Sequence, residues 1–472
     1  MDETTYEVRV YELEKRKDVN GKAVAYRAVW LVAGKLRRKT FKTKAQANSF
    51  RADLIAAMNR GEAFDLASGL PLSQVRAMNR MSWFDLACDY SDTKWKDASA
   101  KHRADIARVL ALTTLSFLES EHGKPADALL RRALTRYAFN TKQRPNQPSD
   151  VKEALQWVKR HTLFVDAFSE EETLRRVLDA ITTKQDGKRM AAVTVKKYRG
   201  ILHNALQYAV VRKALKTNPL TGLQWITVKA SAEVDRRSVL NPSQGRALIR
   251  AIADDGPSGE RLVALFGSML YCGLRPEEAV ETRKDYIVLP PLVQNAQTGE
   301  WEEPSEDENW GELYVGPVSP EVARDWTDDG DNRDSRDRPK HRAEGEKRGP
   351  IPIPPAQVRL YRAHLAKFGT GSDGRLFSGV KADRVPGVTI RKVLKRARVK
   401  VLTDAEQASP LAQRPYDLRH TCLSTHLNAG IAPQQVAEWA GNSVAVLLRT
   451  YAKCLTGQTA LLRKRISEAL NG

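Results

Sequence analysis

Cysteine is scarce. Cys88, Cys272, Cys422 and Cys454 are the four in 472 residues, far apart, with no Cys-x-x-Cys step and no paired histidine. That spacing indicates neither a zinc site nor a disulfide framework, and it fits a reducing compartment. Long apolar runs are also missing. No stretch approaches the roughly 20 residues needed to cross a bilayer. The opening MDETTYEVRV lacks the apolar segment of a signal peptide. Acid is in deficit, with 77 Lys+Arg against 57 Asp+Glu and a formal net charge of +20. The expectation is a cytoplasmic protein without membrane, metal or cofactor. Its partner is expected to be a polyanion, since basic residues bind phosphates by releasing counterions.

A chain of this length exceeds one ordinary core. Its patterning predicts a multidomain protein, mainly α with small β-sheets. Residues 6–17 alternate as a strand, Asn20-Gly21 is a hairpin turn, and residues 24–32 and 35–41 are two further strands. Thr43 with Gln46 caps a helix that carries Phe50, Leu54 and Met58 on one side. Residues 1–65 are thus expected to form a three-stranded sheet plus one helix. Its third strand and the next turn hold Lys35, Arg37, Arg38, Lys39, Lys42 and Lys44, six basic residues in ten. A solvated edge strand that resists aggregation explains them, and so does contact with DNA.

Residues 66–80 read as a linker, and 81–228 as a helical domain. The clearest helix spans 194–213, with Val195, Tyr198, Leu202, Ala205 and Ala209 in a stripe and Asn218-Pro219 closing it. Lys196 and Lys197 sit on this helix, either on a solvated face or against nucleic acid. Residues 229–472 predict an α+β domain. Asn241-Pro242 starts a helix, 261–271 form an apolar one ended by Gly273, and short strands fall near 286–289, 313–315 and 350–353. The charged stretch 300–347 is long for a loop and suggests an extended hairpin. A basic amphipathic helix at 461–470 ends the chain.

Cleaving a phosphodiester without metal requires cations on the non-bridging oxygens, a nucleophile, and a proton donor for the leaving hydroxyl. Arginine suits the first task because its planar fork grips phosphate and stays charged. Arg275, Arg419 and Tyr451 supply cations and nucleophile, and Lys340 or Lys347 the donor. Singly, each has a plainer explanation. Arg275 with Glu278 fits a helix-start ion pair. Val444, Leu447, Leu448 and Tyr451 fall at i, i+3, i+4 and i+7, which also fits a core tyrosine.

Order and spacing add more. Tyr271-Cys272-Gly273-Leu274-Arg275-Pro276-Glu277-Glu278, then Tyr416-Asp417-Leu418-Arg419-His420-Thr421, then Ala440-Gly441-Asn442-Ser443 with Tyr451 nine residues after Asn442, resemble the three boxes of the tyrosine recombinases, the phage-integrase family. The wording is most like integrases of actinobacterial phages and integrative plasmids. The resemblance covers residues 236–472 and, more weakly, 80–225. It implies an arm-type DNA-binding domain at 1–65, a core-binding helical domain at 81–228 and a catalytic domain at 229–472.

The resemblance also implies roles. Tyr451 would attack the scissile phosphate to give a 3′-phosphotyrosyl link. Arg275 and Arg419 would clamp the phosphate, Lys340 rather than Lys347 would protonate the leaving oxygen, and Glu278 would orient Arg275. Lys35, Arg37, Arg38, Lys39, Lys42, Lys196 and Lys197 would touch DNA. The implied partners are double-stranded DNA with core and arm attachment sites, three further copies in a tetramer, a directionality factor and a host DNA-bending protein. A tyrosine transposase or resolvase shares the chemistry, and a DNA-binding regulator that has lost catalysis is the alternative from another class.

Two positions depart from the family pattern. Tyr416 stands where histidine is usual, and Asn442 where histidine or tryptophan is. With a reference pKa of about 10, a tyrosine is a poor base near neutrality, and asparagine does not titrate. The expectation is catalysis without a titrating histidine and no rate inflection near pH ~6–7, unless His420 takes the role.

Overall fold

The computed structural model describes residues 4–17, 23–78, 80–223, 233–334, 348–379 and 384–451, with Arg463, residues 466–468 and Leu470. The architecture is mainly helical with small antiparallel sheets. The chain divides into two compact units, residues 1–97 with 104–227, and residues 98–103 with 228–472.

In the first unit, strand Ala23–Val32 is the centre of a small sheet. Lys35–Phe41 pairs along one edge of it. The strand expected over 6–17 is broken into Val8–Val10 and Glu14–Lys17, which pair in turn along the other edge. Helix Lys44–Asn59, capped by Thr43, covers one face, and Trp30, Val32, Leu54 and Phe64 form the small core between them.

The stretch read as a linker, and the residues just before it, carry structure of their own. Phe64–Asp65 pairs with Thr4–Thr5, and Leu72–Met78 is a helix. The cause lies in the sheet. Trp30 donates its indole N–H to the Gly69 carbonyl at 2.5 Å, and Arg37 donates to the Leu66 carbonyl at 2.7 Å. Gly69 has φ +68, and a Cβ there would strike the Arg37 side chain, so glycine is required. Leu70 is buried in the same place.

The rest of this unit is helical. Trp83 packs edge-on to Phe168, which stacks on Phe117 at 4.1 Å. Helix Asp127–Ala133 runs as α only to Ala133, and Leu134–Ala138 widens into a π-turn. The long helix Ala192–Val211 stops before Lys213, whose φ is +60. Asn218 then ties the following turn back to the helix by donating to the His203 carbonyl at 3.0 Å.

The second unit is built around helix Gly256–Tyr271. Helices Pro242–Ala253, Pro355–Phe368 and Pro415–Asn428 pack against it. Asn241 and Gln244 form a reciprocal capping box at the unit's first long helix. A three-stranded antiparallel sheet has Gly311–Val315 in the middle, flanked by Ile287–Val288 and Arg348–Ile353. A separate hairpin pairs Val293–Gln294 with Trp301–Glu302 and ends just inside the charged stretch 300–347. Lys340 and Lys347 lie outside the described residues, as does most of the terminal helix expected at 461–470.

Candidate active site

Four separated pieces of the second unit meet. They are the turn before helix Pro276–Val280, the first turns of helix Pro415–Asn428, the turn between helices Pro433–Ala440 and Val444–Tyr451, and the start of strand Arg348–Ile353.

The first piece is set by Gly273. Its φ of +67 turns the chain out of helix Gly256–Tyr271, and a Cβ there would crowd Leu423 and Cys422 at 3.2 and 3.3 Å. The turn aims the Gly273 carbonyl at Arg419, which donates to it. Two residues on, Arg275 precedes the helix and Pro276 starts it. Glu278 accepts from the Arg275 backbone N–H at 2.8 Å and from its guanidinium at 2.7 Å.

On helix Pro415–Asn428, residues three and four apart share a face. Tyr416, Arg419 and His420 are therefore neighbours, and the Tyr416 and His420 rings meet edge-on at 4.9 Å. Asp417 accepts from the Arg414 backbone N–H at 2.7 Å and fixes the helix start.

The third piece supplies acceptors. The last carbonyls of a helix lack intrahelical partners and carry its partial negative charge. The Ala440 carbonyl accepts from Arg419 at 2.6 Å and from Arg348 at 3.1 Å. Gly441 sits in the left-handed region, with φ 60 and ψ 46. That bend brings the Gly441 carbonyl and the Asn442 Oδ1 to Arg275 Nη2, at 3.3 and 2.9 Å.

Arg348 is the residue that sequence reading missed. It is buried and grips Glu278 with both ends of its fork, at 2.8 and 2.9 Å. One carboxylate thus serves three guanidiniums, with Arg419 at 3.8 Å from it. Burial pushes the Glu278 carboxyl up, but Arg348, Arg275 and Arg419 more than reverse this and hold it at about 2. Burial opposes the charge on Arg275 too, and Glu278 and then the Tyr416 hydroxyl outweigh it, so its pKa is raised. Three cations on one anion leave two positive charges over. Arg275 is the most open of the three, with 29% of its side chain exposed against 4% for Arg348 and 1% for Arg419.

Tyr451 ends helix Val444–Tyr451. Its ring is only 2% exposed and packs with Leu427, Val436 and Leu447, so the core-tyrosine periodicity describes the ring correctly. Its hydroxyl has a polar partner. It lies 2.9 Å from His420 Nδ1. Burial, with Arg414 and Arg419 nearby, pushes the His420 pKa down to about 4, against an opposing pull from Asp417.

The structure therefore brings together Arg275, Glu278, Tyr416, Arg419, His420, Asn442 and Tyr451. Among the described residues, no group of three His, Cys, Asp or Glu is arranged to hold a metal ion, and no helix is long and apolar enough to cross a membrane.

The basic residues picked out as DNA contacts do not form one patch. By strand alternation Lys35, Arg37 and Lys39 point to the helix side of the sheet, with Trp30 opposite Arg37. Arg37 is tied to Leu66, and Lys39 lies over the Phe50 ring at 4.6 Å. Arg38 is on the open face with Arg9 and Arg27, and Lys42 is exposed beyond the strand. Lys197 pairs with Asp105 at 2.8 Å, while Lys196 is exposed.

No protein-family model matches the chain, and no curated protein matches it. Among solved structures it is similar to the Tn1549 transposon integrase in complex with transposon right end DNA, at 17% identity and TM-score 0.45, covering 71% of this chain and 98% of that one. A lambda integrase dimer bound to a COC′ core site is similar at 13% identity and TM-score 0.43, covering 91% of each chain. The XerH site-specific recombinase bound to difH substrate is similar at 14% identity and TM-score 0.41, covering 77% of this chain and 94% of that one. Likenesses this distant carry no activity across to the present chain.

Proposed function

We propose that this protein is a tyrosine site-specific recombinase, a DNA integrase that cuts and rejoins duplex DNA through a 3′-phosphotyrosyl intermediate. One observation carries the reading. Arg275 and Arg419, 144 positions apart by numbering (419 − 275), share one carboxylate and one helix end, in the same unit as a tyrosine whose hydroxyl is held by a histidine. A surplus of fixed positive charge in a partly buried site suits a phosphodiester, whose charge grows as a fifth oxygen bonds to phosphorus.

In this reading Arg275 and Arg419 bind the non-bridging oxygens. Glu278 holds Arg275 in place, and Asn442 and Tyr416 steady its guanidinium. Tyr451 attacks phosphorus, the bond to the 5′-oxygen breaks, and Lys340 protonates the departing oxygen. The phosphotyrosyl link conserves the energy of the broken bond, so rejoining needs no nucleotide cofactor. Since the Tyr451 ring is covered, DNA binding must open a path to its oxygen while the His420 contact is kept. Arg38, Lys42 and Lys196 remain the best placed of the basic residues to meet phosphates, while Arg37 is assigned to holding the N-terminal sheet together. The domain roles, arm-site binding by residues 1–65, core-site binding by 81–228 and catalysis by 229–472, belong to the same proposal. So do the tetramer on DNA, the accessory factors and a place in the bacterial cytoplasm.

The same burial of Tyr451 favours the second reading, a DNA-binding regulator without catalysis. The test selects duplexes that the protein retains from a randomised pool, nicks them, and looks for an SDS-resistant protein–DNA adduct. Wild type is expected to form it and Tyr451→Phe to form none. Tight retention with no wild-type adduct would favour the regulator.

A further inference from the structure

The recombinase reading leaves one proton unassigned. The Tyr451 hydroxyl must lose it as its oxygen bonds to phosphorus, and the two positions where an imidazole would be expected are Tyr416 and Asn442. Neither is a base at neutral pH.

Resting on that reading, we propose that His420 accepts the proton of the Tyr451 hydroxyl as the oxygen attacks phosphorus. The geometry meets the requirement for a general base, since Nδ1 lies 2.9 Å from the phenol oxygen, within direct reach of the proton. Position 420 follows from helical spacing. One residue after Arg419, it stands beside the arginine cluster and reaches helix Val444–Tyr451. Tyr416 closes the other side of the ring, edge-on at 4.9 Å, and restricts its rotation. With Nδ1 accepting, the hydrogen sits on Nε2. Burial favours the uncharged ring, so the acceptor is empty and ready at neutral pH.

The step balances. The Tyr451 oxygen bonds to phosphorus, and its proton passes to His420 Nδ1. The bond from phosphorus to the 5′-oxygen breaks, and that oxygen takes a proton from the general acid. On rejoining, the 5′-hydroxyl gives its proton back to the general acid as its oxygen bonds to phosphorus, and His420 returns its proton to the departing phenolate. The imidazolium formed in between is offset by Asp417 on its own helix and by the charge gathering on the phosphoryl group.

The test follows single-turnover adduct formation on the selected nicked duplex, made with either oxygen or sulfur at the bridging 5′ position. A thiolate leaves without being protonated, so sulfur removes the need for a general acid and leaves nucleophile activation exposed. His420→Ala is expected to slow adduct formation about a hundred-fold or more on both substrates, the range for losing a general base. His420→Asn can accept the phenol hydrogen bond through its amide oxygen but cannot take the proton, so it is expected to stay as slow. Thermal unfolding and duplex affinity of both variants are measured alongside to exclude misfolding.

Rescue of His420→Ala by sulfur would put His420 on the leaving group and overturn the proposal. Wild-type rates in His420→Asn would reduce it to a positioning residue, and a faster His420→Ala would make the contact a resting lock. Absence of any adduct from wild type, on either substrate, would instead sink the recombinase reading itself.

Discussion

Replacing Arg348 by methionine removes a cation while keeping much of the volume. Glu278 measures what is at stake. Its carboxyl is held at about 2 against an ordinary 4.5, with Arg348 the largest of the three lowering influences. At about 1.4 kcal/mol per pKa unit, that displacement corresponds to about 3 kcal/mol of favourable interaction net of burial. Breaking a buried pair by deleting one partner costs about 3–5 kcal/mol, because the survivor is left charged and dry. Arg348→Met should therefore destabilise the protein by about 3 kcal/mol at neutral pH, read from the urea midpoint of a probe in residues 233–451.

The pH dependence follows from the sign. A carboxyl whose folded pKa is depressed contributes stability that is present above about 4.5 and lost as pH falls through about 2. In the variant Glu278 protonates more readily, so the gap from wild type should narrow as pH is lowered from about 7 to about 3. Catalysis should suffer as well, since without Arg348 the carboxylate draws Arg275 and Arg419 more closely to itself. Glu278→Gln should cost less on top of Arg348→Met than in wild type, because Arg348 is then no longer there to be stranded. Equal midpoints for wild type and Arg348→Met at neutral pH, or strict additivity in the double variant, would refute the shared-carboxylate reasoning.

Other expectations follow from the same contacts. Adduct formation should be flat through pH ~6–7 and fall only as pH drops through about 4, where His420 gains its proton. The groups facing that ring are Asp417, Arg414, Arg419, Tyr416 and Tyr451. His420→Asn should abolish this acid limb, and a limb near pH ~6.5 would show the ring to be exposed in the working complex. Gly441→Ala should cost about 1 kcal/mol from its left-handed backbone and weaken adduct formation by displacing Asn442 from Arg275. Arg38→Ala should reduce the salt dependence of DNA binding by a slope of about 1 without changing stability. Arg37→Ala should instead cost about 1 kcal/mol of stability through the lost Leu66 bond, with the salt slope unchanged.

Local features of the chain predict local structure well. Asn241 with Gln244, Thr43 and Gly273 announce themselves because capping and positive φ depend on a few adjacent residues; the Asn20-Gly21 turn lies outside the described residues. Arg275, Arg419 and Tyr451 were visible because their boxes have fixed internal spacing. Arg348 was not, because it opens a strand rich in glycine and proline, where a basic residue reads as surface. What buries it is Glu278, seventy positions earlier on helix Pro276–Val280, and only the tertiary packing of that helix beside the strand joins the two. The one available hint was that a buried glutamate facing two arginines leaves room for a third. The contact of His420 with Tyr451 spans 31 positions and likewise has no local signature. The basic run at 35–44 showed the opposite failing. Its charge count was plain, but strand alternation sends half of that charge to the helix side, and a count carries no faces.

The central claim is that Tyr451 becomes joined to DNA. Trapped adduct can be digested with protease and nuclease, and the nucleotide-bearing peptide sequenced by mass spectrometry. The nucleotide is predicted on the Tyr451 hydroxyl. Its appearance on Tyr416 or any other residue, or an unmodified Tyr451 in protein that has cut its DNA, would contradict the account.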